Sequence, residues 1–262
     1  MTLEFFKYHG TGNDFIIIDA RNKQINLSES QIKYLCDRRF GIGSDGLMLY
    51  MNSNKYQFKM RYFNADGKEG SMCGNGGRCL SAFSHYIGNP FNKMHFEAID
   101  GQHFSEILEI QNEIKLVRLK MLENPIIFEF DTHFEINTGS PHFVCFEPNV
   151  DTINVFQLGT KVRHNPKYPE GINVNFVEER GDHIFVRTFE RGVEDETLSC
   201  GTGVTAAAIA KATKDKLLGE LTVKVQTLGG YLEVSFNRTE QGVSNICLTG
   251  PATFVYKGQI NI

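Results

Sequence analysis

The sequence is short of several things, and each absence narrows what the chain can do. It has no run of Lys or Arg, and 27 basic against 31 acidic residues give a net charge of −4. The electrostatic footprint of a nucleic-acid binder is therefore missing. No stretch approaches the ~18 consecutive apolar residues of a membrane-spanning helix. The opening Met1-Thr2-Leu3-Glu4-Phe5-Phe6-Lys7 lacks the basic-then-apolar layout of a signal peptide and reads as a strand. The expectation is a cytoplasmic protein with no nucleic-acid or membrane partner. No Cys-x-x-Cys occurs and the eight histidines fall into no metal-ligand spacing, so neither zinc nor a dithiol redox pair is expected. Low-complexity segments and long linkers are absent too. No Schiff-base lysine with a phosphate loop is marked, as a pyridoxal phosphate enzyme would need, and no cofactor is expected.

What is present suits ordinary cores: 41% hydrophobic and 22% charged residues in a chain of 262, long enough for one large domain or two of about 130. Six cysteines allow three disulfides, but a chain of this length without a secretion signal does not need them. Cys36, Cys79, Cys145 and Cys247 have apolar neighbours and read as packing residues.

Cys73 and Cys200 are different. Arg61-Tyr62-Phe63 leads through Asp66-Gly67-Lys68-Glu69 to Cys73-Gly74-Asn75-Gly76, and Arg187-Thr188-Phe189 leads through Glu194-Asp195-Glu196 to Cys200-Gly201-Thr202-Gly203. Each copy reads Arg-x-Phe, an acidic turn, then Cys-Gly-x-Gly opening an apolar helix. The second cysteine lies 127 positions after the first (73, 200), and Thr138-Gly139 follows Thr11-Gly12 at the same interval. A single Cys-Gly-x-Gly reads as a turn with a packed thiol. Two of them with recurring polar flanks, half a chain apart, read as a duplicated fold carrying one thiol per half.

The periodicity predicts strands at Leu3–Tyr8, Phe15–Asp19, Leu47–Met51 and Tyr56–Phe63, and a short helix after the capping box Ser28-Glu29-Ser30-Gln31. A long helix is predicted from Gly74 to Tyr86, followed by a meander through His95–Ile99, Phe104–Ile110 and Ile114–Leu119. The second half repeats the plan: strands at Ile126–Phe130 and Phe143–Phe146, a short helix at Thr152–Leu158, and strands at Asn173–Val177 and His183–Phe189. A long helix from Gly201 to about Lys216 precedes strands at Thr222–Thr227, Tyr231–Phe236, Asn245–Thr249 and Thr253–Tyr256. The fold class is α+β: two pseudo-symmetric halves, each a curled mixed or antiparallel sheet around a central helix. The domains are drawn at 1–122 and 123–250, with the closing strand 251–262 a candidate to complete the first.

A helix N-terminus presents N–H groups without intrahelical acceptors and a partial positive charge. It favours a thiolate placed there, and the following glycines let an anion approach the backbone. Two such ends facing each other would clamp one carboxylate and put a sulfur on each side of the adjoining carbon, an arrangement for moving a proton across a stereocentre.

At these residues the sequence resembles the diaminopimelate epimerase family. The resemblance runs through Lys7-x-His9-Gly10-x-Gly12-Asn13-Asp14-Phe15, Phe63-Asn64-Ala65-Asp66-Gly67, Met72-Cys73-Gly74-Asn75-Gly76, Gly139-Ser140-Pro141-His142, Gly171-Ile172-Asn173-Val174, Glu190-Arg191-Gly192, and Glu196-Thr197 before Cys200-Gly201-Thr202-Gly203. It implies interconversion of LL- and meso-diaminopimelate without pyridoxal phosphate, on the route to lysine and peptidoglycan, by a homodimer of two similar halves. It makes Cys73 and Cys200 the two bases, and Gly74, Asn75, Gly201 and Thr202 the holders of the reacting carboxylate. Asn13, Asn64, Asn173 and Arg191 then bind the distal end, Glu190 helps hold the substrate ammonium, and Glu190 and His142 tune the thiols. Two residues depart from the family's pattern: Ser140 stands where many members carry asparagine, as a substrate contact of shorter reach, and Gly46 where some carry glutamine. A proline or hydroxyproline racemase-like enzyme is the nearest alternative, but such proteins tend to carry histidine where this chain has Asn75. A thiol redox or anion-binding protein is the alternative from another class.

Overall fold

Short alternating apolar runs outnumber helical ones in this sequence, and strands dominate the result. The computed structural model describes residues 2–262, which form seventeen strands, four α-helices and one 3-10 turn at Val150–Thr152. The chain divides into two units. Residues up to Leu119 together with Gly250–Ile262 form the first, and Lys120–Thr249 the second. In chain order the elements are β1 (Thr2–Gly10), β2 (Asn13–Asp19), α1 (Glu29–Cys36), β3 (Gly46–Met51), β4 (Phe58–Asn64), β5 (Glu69–Gly70), α2 (Gly74–Tyr86), β6 (Lys93–Ala98), β7 (Gly101–Gln111) and β8 (Ile114–Lys120). Then follow β9 (Ile127–Glu129), β10 (Phe134–Asn137), β11 (Pro141–Phe146), α3 (Val155–Arg163), β12 (Asn173–Arg180), β13 (His183–Glu190), β14 (Asp195–Thr197), α4 (Gly201–Lys214), β15 (Gly219–Thr227), β16 (Gly230–Thr239) and β17 (Gly242–Asn261).

In the first unit β1 is antiparallel to β2, β2 parallel to β3, and β3 antiparallel to β4. β4 is parallel to β6 across the α2 crossover, and β6, β7 and β8 form a meander. The end of β17 returns along β1, from Thr2↔Asn261 to His9↔Thr253, and β8 lies beside β17, Phe254 N–H donating to the Glu113 carbonyl at 2.9 Å. The strands curl around α2, whose residues Gly74 to Ser84 are all buried, as expected of a helix walled in on every side. On the outside, α1 sets Ile32, Leu35 and Cys36 against Leu3, Phe5, Ile16, Ile18, Leu47 and Leu49. Covered on both faces, β2 reads as the unbroken apolar run Phe15-Ile16-Ile17-Ile18 instead of alternating. The capping box holds: Ser28 Oγ accepts the Gln31 N–H and Gln31 Oε1 accepts the Ser28 N–H at 2.9 Å.

The second unit repeats these connections around α4, with β11 parallel to β12, β13 parallel to β15, and antiparallel neighbours elsewhere. β9 borders β10 just as the end of β17 borders β1. α4 is lined with Ala206, Ala207, Ala208 and Ala210, all fully buried, so the strands pack close to its axis. On α3 the position matching Ile32 of α1 is Gly159, where an added Cβ would lie 2.4 Å from Phe189 Cβ.

Four elements differ from the sequence reading. β10 is not among the strands expected: Phe134-Glu135-Ile136-Asn137 alternates for only four residues between polar turns. β5 and β14 are two- and three-residue strands inside what reads as turn. The Gly250-Pro251 pair reads as a break, yet β17 runs through it. Pro251 falls after the ladder to β16 ends at Thr249 and before that to β1 begins at Thr253, so neither partner needs its missing N–H.

Candidate active site

The hairpin ahead of each cysteine explains the recurring flanks. In the first unit Arg61 grips Glu69 through Nε and Nη2 at 2.9 and 2.8 Å. In the second, Arg187 grips Glu196 at 2.6 and 2.7 Å. Such forked pairs fix both partners in one plane, and they tie β4 to β5 and β13 to β14. The Arg-x-Phe and acidic turns thus brace the approach to each thiol. Gly67, at φ +93, allows the first turn, where a Cβ would meet the Glu29 carbonyl at 2.4 Å. The second turn is one residue longer and passes through Glu194 at φ +59. Both hairpins deliver a cysteine to the N-cap of a central helix, Cys73 at φ −90, ψ 131 and Cys200 at φ −117, ψ 112. Neither thiol caps its own helix.

Around Cys73 the first unit gathers amides. Cys73 Sγ lies 3.6 Å from Asn13 Oδ1, which also accepts from Asn75 Nδ2 at 3.1 Å. Asn75 Oδ1 accepts from Arg78 Nη2 at 2.8 Å, and Arg78 Nη1 donates to the Gly74 carbonyl at 3.3 Å. Asn13 Nδ2 donates to Asp45 Oδ2 at 2.7 Å. Behind Asp45, Arg38 Nη2 donates to both Asp45 Oδ1 and Asp14 Oδ1 at 2.7 Å, and Lys7 pairs with Asp14 at 2.6 Å. Burial alone would raise the Asp14 carboxyl, but the Arg38 and Lys7 bonds outweigh it and hold its pKa at about 2. Asn64 ends β4 with an exposed side chain beside Gly70. Gly46 is buried in β3, where a Cβ would meet Tyr62 Cε2 at 2.6 Å, so the Tyr62 ring fills the space a larger residue would need.

Around Cys200 the second unit gathers hydroxyls and an imidazole. Cys200 Sγ is 3.5 Å from Thr202 Oγ1, which is 2.9 Å from His142 Nε2. Ser140 Oγ sits 3.0 Å from the same nitrogen. Asn175 Oδ1 accepts from Thr188, so its Nδ2 faces His142 Nδ1 at 3.1 Å as a donor. That places the ring proton on Nε2, pointing at Thr202 and Ser140. Burial, helped by the Arg191 charge, pushes the His142 pKa down to about 3, so the ring is neutral. Asn173 donates to Ser140 Oγ and to the Pro141 carbonyl, each at 3.0 Å, and accepts the Arg191 N–H at 2.9 Å. Its amide therefore ties the Ser140 turn to the Arg191 turn. Glu190 ends β13 immediately before Arg191, and the Arg191 guanidinium donates to the Glu170 carbonyl at 3.3 Å. Arg163 grips Glu194, which accepts the Gly192 N–H at 3.0 Å, steadying the same turn. Gly203 is glycine for clearance: a Cβ would stand 2.4 Å from Asn175 Oδ1.

Of the residues singled out in the sequence, the structure joins Asn13, Cys73, Gly74 and Asn75 in one network and Ser140, His142, Asn173, Arg191, Cys200 and Thr202 in another, with Gly201 opening α4. It adds Arg78, Asp45 and Asn175, which sequence reasoning passes over. A charged residue at the head of the largely apolar run Cys79-Leu80-Ser81-Ala82-Phe83 is the available signal for Arg78. Cys36, Cys79 and Cys145 are buried, whereas Cys247 is partly exposed. Among the described residues no group of three His, Cys, Asp or Glu side chains gathers as a metal site, and no helix is long and apolar enough to cross a membrane.

The family model described as diaminopimelate epimerase matches residues 5–117 and 134–255. A diaminopimelate epimerase from Flavobacterium psychrophilum is 48% identical over 98% of this chain and 100% of its own length. One from Chlorobaculum tepidum is 44% identical over 97% of this chain and 99% of its own length. Among solved structures, a PhzF-family phenazine biosynthesis protein from Bacillus anthracis superposes with a TM-score of 0.80 at 17% identity, covering 100% of both chains. A probable proline racemase from Agrobacterium radiobacter gives 0.70 at 14% identity, covering 99% of this chain and 93% of its own. At such identities these two share the fold alone.

Proposed function

The chain belongs to the diaminopimelate epimerase family, and from that premise we propose that it interconverts LL- and meso-2,6-diaminopimelate with Cys73 and Cys200 as the acid–base pair. The observation that carries the thiol assignment is the matched placement of the two cysteines at the N-caps of α2 and α4, neither used as a cap. The α-proton of an amino acid is far less acidic than a thiol, so a thiolate needs help as the negative charge develops on the carboxylate. Backbone N–H groups at a helix end are fixed dipoles for that purpose, and oxyanion donors of this kind are typically worth about 3–4 kcal/mol each. Gly74, Asn75, Gly201 and Thr202 supply them. One thiolate removes the proton and the other thiol returns a different one, with no pyridoxal phosphate.

Arg191 takes the distal carboxylate, where its planar fork can form two parallel bonds, with Asn64, Asn173 and Asn13 around that end and Ser140 as a further contact. Glu190 helps hold an ammonium group, and His142 acts on Cys200 through the Thr202 hydroxyl. The resemblance brings with it a cytoplasmic homodimer serving lysine and peptidoglycan synthesis. Incubation of the purified protein with LL-diaminopimelate, beside L-proline, followed by chiral chromatography tests the reading. The expected result is meso-diaminopimelate and unchanged proline; turnover of proline alone would move the chain to the racemase reading.

A further inference from the structure

Arg78 is the largest fully buried side chain in the protein, with 0% exposure. Its Nε has no hydrogen-bond partner and no carboxylate pairs with it among the described residues. Burying a charge without a counter-charge is strongly unfavourable, and the helix does not require it. The matching position of α4 is Thr205, whose hydroxyl simply donates to the Gly201 carbonyl at 2.9 Å. Gly10 makes room for the guanidinium, since a Cβ there would come within 3.2 Å of Arg78 Nη2.

We propose that Arg78 and Asp45 are positioning residues for Cys73, acting through a fixed line of two amides, Asn75 and Asn13, that runs from the buried guanidinium to the carboxylate. The line reads Arg78 Nη2 to Asn75 Oδ1 (2.8 Å), Asn75 Nδ2 to Asn13 Oδ1 (3.1 Å), Asn13 Nδ2 to Asp45 Oδ2 (2.7 Å). An asparagine amide has no preferred orientation of its own, and its partners decide which way it points. Here a cation at one end and an anion at the other leave a single choice, because flipping either amide would set donor against donor or oxygen against carboxylate. Asn13 Oδ1 is thereby held 3.6 Å from Cys73 Sγ. An acceptor there fixes the thiol rotamer and keeps a proton on sulfur for delivery. Asp45 is anchored in turn by its bond from Arg38 and by the Asp14 backbone N–H at 3.1 Å, and Asp14 is held by Arg38 and by Lys7 of β1. Cys79, the other titratable neighbour on α2, is fully buried, and burial pushes its thiol well above the ordinary range. When Cys73 has given up its proton, its thiolate is a counter-charge for Arg78.

This inference rests on the epimerase reading. The test compares wild type with Arg78→Gln, Arg78→Lys and Asp45→Ala by three measurements: kcat and KM for diaminopimelate, thermal melting, and the ratio of Cys73 to Cys200 alkylation by iodoacetamide, mapped by peptide mass spectrometry. Arg78→Gln and Asp45→Ala should each lower kcat on the order of 10²-fold, the loss expected from a small misplacement of a reacting group. KM should change little, and the alkylation ratio should shift. Arg78→Lys keeps the charge but not the fork and should fall between. Variants that melt at lower temperature yet keep wild-type kcat and alkylation ratio would overturn the relay and leave Arg78 a folding residue. If Arg78→Gln does not fold, Asp45→Ala decides alone, because Asp45 is 43% exposed and outside the core. Wild type inactive on every diaminopimelate stereoisomer would sink the epimerase reading instead, and the alkylation ratio would still report on the relay.

Discussion

The two cysteine sites stand on the same scaffold and are wired differently. Each thiol comes after an arginine-braced hairpin and sits at the head of a buried helix, yet Cys73 meets a carbonyl oxygen held between charges, while Cys200 meets a hydroxyl held by a neutral imidazole. His142 donates toward Thr202, which leaves the Thr202 hydrogen for Cys200 Sγ; Asn13 offers Cys73 only an acceptor. A duplicated fold supplies two equivalent places for a sulfur, and the polar residues beneath them make the places unequal. At each turnover one sulfur carries a proton when the other does not, and the two exchange these states when the reaction runs the other way.

The largest effect that can break the comparison is removal of either sulfur. Cys73→Ala and Cys200→Ala should each lower epimerisation by on the order of 10³-fold or more, within the range for a lost general acid or base. Steady-state rates measured in both directions will show it, and either variant running at the wild-type rate would mean that one site is only scaffold. A smaller effect sharpens the contrast at the far end of the substrate. The Arg191 turn is built by the second unit alone, from Asn173, Glu194 and Gly192. Arg191→Lys keeps the charge and loses the planar fork, so kcat/KM should fall by about 2 kcal/mol, roughly 30-fold. Kinetics indistinguishable from wild type would remove Arg191 from the distal site.

The sequence shows the sites better than their supports. Cys73 and Cys200 are legible because an N-cap cysteine with a following glycine is a local arrangement, repeated with its flanks. The capping box at Ser28 and the apolar run of β2 are local in the same way. The features that escape a sequence reading are tertiary. Arg78 looks like any helix arginine until β1 closes over it at Gly10. Asn175 sits in a strand, and its role exists only once β11 brings His142 to within 3.1 Å. β10 is too short to show a period, and the continuity of β17 through Pro251 depends on which partners lie beside it there. The recurring Arg-x-Phe flank marks the duplication, but its work as a brace is visible only in the bond to Glu69 or Glu196.

The central claim is that two different sulfurs handle the proton, and the most direct test is solvent isotope incorporation during the first turnovers. With LL-diaminopimelate in deuterated water, the account predicts that the earliest meso product carries deuterium at the inverted carbon while remaining substrate stays protiated, because the proton delivered is not the one removed. Early product that keeps its original protium would mean that one group removes and returns the same proton, and would contradict the two-thiol scheme.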